Sequence, residues 1–250
     1  MSTIFLYLEV FLAIIIPYIS TIYPHRSQNF KKVVGIDPEN KSIERAQKNY
    51  KKGNLHFQVG QGESLDFSSL SFDFVLFCQS LHHIPPKYQS IALEETWRVL
   101  SRHGRLVIIE PIYQKGAFEK IACLYNDEKE IRNSAQRVVK SLINNGFSLL
   151  LEKEIRIEDT CKDFDDLYLN NIKTKSYADW QESYKEKIES ILYSCDITQN
   201  GDIILDYYTT IWLLEKNQRT HIKHINRTLT MRRLCQRSVP SIIPAGVADI

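Results

Sequence analysis

Three short polar stretches each follow an apolar run that is typical of a buried strand. Asp37 ends the run "VVGID", residues 60–63 ("GQGE") follow "HFQV", and residues 78–83 ("CQSLHH") end the run that begins "FDFVLF". A carboxylate at a strand end can accept two hydrogen bonds from a ribose diol. Glycines let a flat ring approach the backbone, and the Gln61 amide offers a donor and an acceptor to a base edge. The simpler interpretations are a helix cap at Asp37 and an ordinary loop at 60–63.

Three side chains near these stretches could move a proton: His82, His83 and Glu110. A pair of histidines without a further ligand nearby is a poor metal site, so we predict no bound metal. The alternative for the two histidines is structural, with one ring packed inside and the other exposed. These three residues are the catalytic candidates.

Strand and helix patterns alternate over residues 31–145, which predicts βαβ units, a parallel sheet and right-handed crossovers. The expected fold is a Rossmann-like, doubly wound α/β domain whose C-terminal strands are antiparallel. Helical segments at 162–170 and 177–193 would form a cap over about 160–195. We predict strands at 31–37, 55–60, 72–80, 105–111, 147–159 and 201–216, and helices at 37–53, 87–104 and 117–145, the last two ended by Gly104 and Gly146.

Composition and charge are ordinary for a globular protein of 250 residues with a net charge of +2. The charge is uneven, because residues 217–250 hold six Arg/Lys and one Asp, a balance of +5, which leaves −3 for residues 1–216. We predict that 217–250 is a disordered or loosely attached tail, and its scattered basic residues disfavour a nucleic-acid arm. The five cysteines show no metal or disulfide spacing, so we expect reduced thiols in a cytoplasmic protein.

Residues 3–23 are almost wholly apolar, interrupted by Glu9 and Pro17. A stretch of about 20 apolar residues can span a bilayer. The basic residues that follow it (Arg26, Lys31 and Lys32) would hold that side in the cytoplasm. Membrane attachment through 3–23 is therefore one alternative, and a buried helix is the other. A cleaved signal peptide is disfavoured because no basic region precedes the stretch.

The order of these pieces resembles a known family. An acidic residue ends one strand, a polar loop follows the next, and "SFDFVLFCQSLHHI" then precedes "RVLSRHGRLVIIEP". This arrangement resembles the class I S-adenosylmethionine-dependent methyltransferases, in the small-molecule group called type 11. The resemblance is clear over about 30–111 and extends to 216 by topology, which suggests a methyltransferase-like domain at 30–216.

The resemblance implies S-adenosyl-L-methionine as the cofactor and assigns residues to it. By position, Asp37 and Pro38 would hold the ribose hydroxyls, and Gln61, Gly62 and Glu63 would contact the adenine. Cys78 and Gln79 would lie beneath the methionine portion. The family usually has Asp where this chain has Gln61, so an amide would replace a carboxylate there.

The implied reaction is methyl transfer from a sulfonium to a small organic acceptor, in which positioning contributes more than a general base. Nucleic-acid base methylation is disfavoured, because enzymes of that type resemble one another in an (Asp/Asn/Ser)-Pro-Pro-aromatic motif at the end of the fourth strand. Here "IPPKY" comes about six residues later and begins with Ile. Aromatic residues at 113, 118, 125, 168 and 180 could line an acceptor pocket, although such spacing more often indicates core.

The segment 1–29 departs from the family, which places a glycine-rich loop before the strand that ends at Asp37. The first glycine of this chain is Gly35. Three interpretations stay open: residues 11–20 are the remnant of the first helix after truncation or a frameshift, 3–23 is a membrane anchor, or the loop is intact but divergent. We favour the first, and we note that "IFLYLEV" could fill the slot of the central strand.

Overall fold

The computed structural model of the chain describes residues 2–7, 30–50, 53–143, 145–172 and 182–217. Over these residues one sheet has the order β3-β2-β1-β4-β5-β7-β6. Strands β1 to β5 are parallel, and β7 is antiparallel to both β5 and β6. The predicted doubly wound sheet with antiparallel C-terminal pairing is confirmed. The strands are β1 (Ser2–Tyr7), β2 (Phe30–Asp37), β3 (Leu55–Val59), β4 (Phe72–Cys78), β5 (Leu100–Pro111), β6 (Phe147–Cys161) and β7 (Ile203–Lys216).

Strand β1 occupies an interior slot of the sheet. Its Ile4 lies opposite Val33 of β2 on one side and Phe74 of β4 on the other. The sheet therefore includes a strand from the apolar segment that precedes the predicted domain. This strand consists of the first four residues of "IFLYLEV" and the two residues before them. Because the strands are parallel, the carboxyl ends of β1, β2 and β4 meet at one edge.

Helices cover both faces of the sheet. On one face, Leu93 and Val139 pack into a buried cluster with Phe77 and Ile108, and on the other face Ile43 packs with Leu76 and its neighbours. Burying each of these large side chains contributes about 1.5–3 kcal/mol. The helices are α1 (Asn40–Asn49), α2 (Pro86–Val99), α3 (Ala117–Tyr125), α4 (Lys129–Leu142), α5 (Phe164–Leu167), which continues as a π-helical turn (Tyr168–Ile172), and α6 (Glu182–Leu192).

The single long helix predicted over 117–145 is wrong. The chain forms α3 and α4, separated by residues 126–128. Asn126 leaves helical geometry (φ −146°, ψ 87°), and the Asp127 carboxylate accepts a hydrogen bond from the Lys129 backbone N–H. This Asx-type turn competes with the helix and starts a new one. Helix α4 ends at Leu142, with Ile143 at the cap position, so Gly146 (φ 106°) does not end the helix itself as predicted.

The prediction that Gly104 ends the second helix is also wrong. Helix α2 ends at Val99 and β5 begins directly at Leu100, which lies opposite Phe72. The next paired residue of β5 is Arg105, opposite Phe74, so 101–104 form an irregularity inside the strand. Strand pairing at Leu100 therefore overrides the helical pattern of "WRVLSRHG".

The β6–β7 pair extends beyond the carboxyl end of β5 and carries a cap. Pro111 of β5 lies opposite Thr209, whereas β7 already begins at Ile203. Helices α3, α5 and α6 bury a separate small core against this extension, and 173–181 of the predicted cap lie outside the described residues. The core is formed by Ile121, Cys161, Leu167, Ile188, Leu192 and Leu205.

Two predictions fall largely outside the described residues. Of the apolar stretch 3–23, residues 3–7 belong to β1, and 8–23 are not described. In the part of the chain that the structure describes, no helix is long and apolar enough to cross a membrane. The predicted tail overlaps the described residues only at Asn217, so its character stays a prediction.

Candidate functional site at the carboxyl edge of the sheet

Asp37 lies at the carboxyl end of β2 and is only 3% exposed. Its Oδ1 accepts a hydrogen bond of 2.7 Å from the backbone N–H of Glu39. Helix α1 begins at Asn40, and the residue at its cap position is Glu39. Asp37 thus does not cap the helix directly. It fixes the turn that leads from the strand into the helix, and this turn holds its carboxylate at the edge of the sheet.

The loop after β3 packs against the end of β2. The Gly60 N–H donates to the Asp37 backbone oxygen over 3.1 Å, and a Cβ at Gly60 would meet the Ile36 side chain at 3.4 Å. This is an ordinary van der Waals distance, so the packing against β2 does not itself require glycine at position 60. Beyond Gly60, the Ser64 N–H donates to the Gln61 oxygen and closes a turn. Within this loop Gln61 is exposed, Gly62 is buried and Glu63 is half-buried.

Helix α2 anchors the far side of this loop through two residues that sequence analysis missed. Glu95 accepts from the Leu65 N–H over 3.1 Å, and Arg98 donates to the Leu65 and Phe67 oxygens over 2.8 and 2.6 Å. Arg98 also pairs with Glu95, and this hydrogen bond lowers the pKa of the Glu95 carboxyl. A Glu and an Arg three residues apart on a helix were the only sequence signal for this anchor.

The end of β4 presents Cys78 and Gln79. Burial, with a smaller effect of the nearby Glu110, raises the pKa of Cys78 to about 12, so its thiol stays protonated at neutral pH. Gln79 has φ 49°, a left-handed conformation that is uncommon for residues other than glycine. Its N–H donates to the Ile109 oxygen over 2.7 Å. Burial raises the pKa of Tyr207 on strand β7, and the nearby Gln79 side chain acts in the opposite direction.

The donor and acceptor chemistry of these residues fits the nucleoside half of S-adenosylmethionine. A buried carboxylate at β2 suits a ribose diol, and a glycine loop with an amide at β3 suits a purine edge. The segment that would follow β1 at this edge lies outside the described residues. The predicted absence of a glycine-rich loop therefore stays a prediction.

The catalytic candidates are brought together beside this edge. Glu110 is 1% exposed; its Oε1 accepts from the Leu81 N–H over 2.8 Å, and its Oε2 contacts His82 Nδ1. His82 is 3% exposed, whereas His83 is exposed, and their ring centroids are 4.1 Å apart. One histidine is packed and one exposed, as the structural interpretation expected.

The buried pair continues into a network that sequence analysis missed. His82 Nε2 is 3.9 Å from Glu128, Glu128 is 2.6 Å from Arg132, and Arg132 also contacts Glu119. Burial raises the pKa of Glu119 more than Arg132 lowers it. For Glu128, burial acts in the same direction, but Arg132 and the two histidines outweigh it and lower the pKa. The interruption between α3 and α4 turns Glu128 toward His82.

This network fixes the position of His82. Each of its ring nitrogens faces a carboxylate, so the ring links the loop after β4 to helix α4. Among the described residues, no group of three or more His, Cys, Asp or Glu side chains could hold a metal ion.

Parts of the chain are similar to known proteins. Residues 20–108 match the family model described as "Methyltransferase domain". A segment of 67 residues, 27% of this chain, is 39% identical to the ubiquinone/menaquinone biosynthesis C-methyltransferase UbiE of Sinorhizobium fredii. It covers 25% of that relative, so the chain spans about a quarter of the length of the curated relatives it matches.

Two solved structures share the fold. The YcgJ protein of Bacillus subtilis superposes with a TM-score of 0.54 at 17% identity, over 87% of this chain and 92% of that chain. A candidate methyltransferase of Bacillus halodurans gives a TM-score of 0.54 at 14% identity, over 87% and 93% of the two chains. At these identities the likeness shows the fold alone.

Proposed function

Because residues 20–108 match the methyltransferase domain family and the chain has the class I methyltransferase fold, we propose that it binds S-adenosylmethionine and methylates a small-molecule acceptor. The observation that carries this proposal is the buried carboxylate of Asp37 at the carboxyl end of β2, beside the loop of Gly60. In parallel α/β sheets, ligands bind at this edge.

Different residues of the site contact different parts of the cofactor. Asp37 and Pro38 hold the ribose hydroxyls. Gln79 and the buried Cys78 lie beneath the methionine portion. Gln61, Gly62 and Glu63 line the adenine. The bound cofactor supplies a sulfonium whose methyl group is already activated for transfer, so the chain needs chiefly to orient the acceptor and exclude water.

Proton removal from the acceptor is assigned to His83 where the acceptor requires it. His82 and Glu110 contact each other and are both nearly inaccessible, whereas the ring of His83 is exposed beside them. A general base must come within hydrogen-bond reach of the proton that it takes. Of the three candidates, His83 is the one that an acceptor can reach.

Calorimetric titration of the full chain with S-adenosylhomocysteine tests the cofactor site. We expect micromolar binding by the wild-type chain. Asp37→Ala should weaken it by about 1–3 kcal/mol, since it leaves charged hydrogen bonds unmade. Asp73→Asn is the matched control, because Asp73 lies near the opposite end of β4 and is exposed there. It should bind as the wild type does.

The alternative functions are outcomes of the same experiments. If a folded chain, checked by circular dichroism, shows no binding, the protein is a non-catalytic relative that keeps the fold. A cytoplasmic enzyme should remain in the supernatant after carbonate extraction of a cell lysate. Retention in the membrane fraction would favour the membrane-anchored alternative through 3–23.

A further inference from the structure

The cap carries an open groove of about 400 Å³ between α5, α6 and the start of β7. Its wall includes the side chains of Phe164, Leu192 and Ile203. Two of its lining residues project into solvent, Tyr193 at 90% exposure and Ile197 at 67%. Because both residues line the same groove, it offers exposed apolar surface that a binding segment could cover.

The groove also has an acidic rim. Asp163, Asp165 and Glu189 line it, and Lys185 is the one basic residue among its lining residues. Lys185 lies over the Phe164 ring, 5.2 Å from the centroid. The rim therefore has a formal charge of −2 (three carboxylates and one ammonium) beside an apolar wall. A binding segment that combines arginines with aliphatic side chains would match both features.

The chain holds such a segment beyond the described residues. Residues 231–243 read "MRRLCQRSVPSII", with three arginines at 232, 233 and 237 and no acidic residue. Aliphatic residues alternate with the arginines at 231, 234 and 239 and follow them at 242 and 243. Residues 1–216 have a balance of −3, so long-range electrostatics also attract the basic segment to this part of the chain.

The length of the chain permits the contact within one molecule. Strand β7 runs from Ile203 at the groove to Lys216 at the far end. At about 3.3 Å per residue, the return path is about 43 Å. About 13 extended residues cover that distance. The first segment able to reach the groove thus begins near residue 230, where the arginines begin.

We propose that the basic segment 231–243 docks in this groove of its own chain. Its arginines pair with the acidic rim, and its aliphatic side chains cover Tyr193 and Ile197. The C-terminal segment would then form part of the cap surface.

Two cysteines allow a direct test in the full chain. Cys195 lines the groove, and Cys235 lies between the arginines of the segment. Treatment of dilute protein with a short bis-maleimide should link Cys195 to Cys235 within one chain, as identified by peptide mass spectrometry. Cys195→Ser should abolish this product, whereas Cys123→Ser should leave it unchanged.

Charge reversal on the rim separates docking from chance collision. Glu189→Lys should slow the cross-link about fivefold, as expected for a lost and reversed surface ion pair. Glu186→Lys, on the same helix but outside the groove, is the matched control. The effect of Glu189→Lys should fade in 0.5 M salt, where charges are screened over about 4 Å.

Three results would overturn the proposal. They are a product that joins two chains instead of one, equal rates in the two charge variants, and no product although a monofunctional maleimide labels both thiols. If Cys195 resists labelling, trypsin cleavage after Arg232, Arg233 and Arg237 decides. We expect cleavage about fivefold faster in Glu189→Lys than in Glu186→Lys, and equal cleavage rejects docking.

Discussion

Replacing Arg132 by Met tests whether the buried network stabilises the fold. Arg132 contacts both Glu119 and Glu128, and the side chains of the three residues are 11%, 4% and 14% exposed. Methionine keeps much of the aliphatic stem but leaves two buried carboxylates without their cation. Loss of one partner from a buried ion pair costs about 3–5 kcal/mol. With a urea m-value of about 2 kcal/mol/M, the unfolding midpoint should fall by about 2 M.

The pH dependence of the destabilisation provides a second, independent test of this prediction. Burial already raises the pKa of Glu119, and loss of Arg132 should raise it further. For Glu128, the same loss removes the main interaction that lowers its pKa. A carboxyl whose pKa is higher in the folded state favours folding below its unfolded pKa, and this contribution is lost as pH rises through the folded pKa. The cost of Arg132→Met should therefore be larger at pH 7.5 than at pH 5.

Urea unfolding followed by far-UV circular dichroism at both pH values measures these costs. Arg156→Met is the matched control, since Arg156 also pairs with two carboxylates but is 42% exposed. It should shift the midpoint far less. Adding Glu119→Gln to Arg132→Met should recover part of the loss. A cost below about 1 kcal/mol for Arg132→Met, or a cost that is equal at both pH values, would refute the stabilising role.

Two further changes test the packing of the cap and of the end of β7. Gly116→Ala should lower the melting temperature much more than Gly201→Ala. Both glycines have positive φ, but only at Gly116 would the new Cβ lie 2.3 Å from the Asp206 oxygen. Equal shifts in melting temperature would exclude this clash. Lys216 donates to the Trp97 and Leu100 oxygens, and burial lowers its pKa to about 8. Because the unfolded state then binds more protons between about pH 8 and 10.4, stability should rise over this window. The gain in stability should be only about 1 kcal/mol, because the carbonyls and the Trp97 ring stabilise the charged form and oppose the effect of burial. Lys216→Met should abolish this rise, as measured by urea unfolding at several pH values.

The pattern of apolar residues along the sequence predicted most of the sheet, because buried parallel strands appear as short apolar runs between segments with helical periodicity. Strand β4 and most of β5 lie where "FDFVLF" and "RLVIIEP" indicated them. The boundaries failed where a local interaction outweighed the pattern. An Asx-type turn at Asp127 divided one predicted helix into two, and strand pairing at Leu100 ended another helix early.

The position of a candidate residue at this edge was predictable only where the residue ends a strand or directly follows one. Asp37 ends β2, and Gln79 directly follows β4. The partners of His82 were not predictable, since Glu110 is 28 residues away and Glu128 comes from another element. No periodicity relates such residues. The pairing of β4 with β5 brings Glu110 to His82, and Glu128 reaches it from the start of α4.

The sheet order has a kinetic consequence. The first and last described strands, β1 and β7, are both interior strands, each hydrogen-bonded on two sides. The sheet therefore cannot grow by adding one edge strand after another along the chain. Until β7 inserts, the apolar edge of β5 stays open to intermolecular pairing. We expect slow folding, as is usual for long-range strand pairing, and a late intermediate that is prone to aggregate during synthesis.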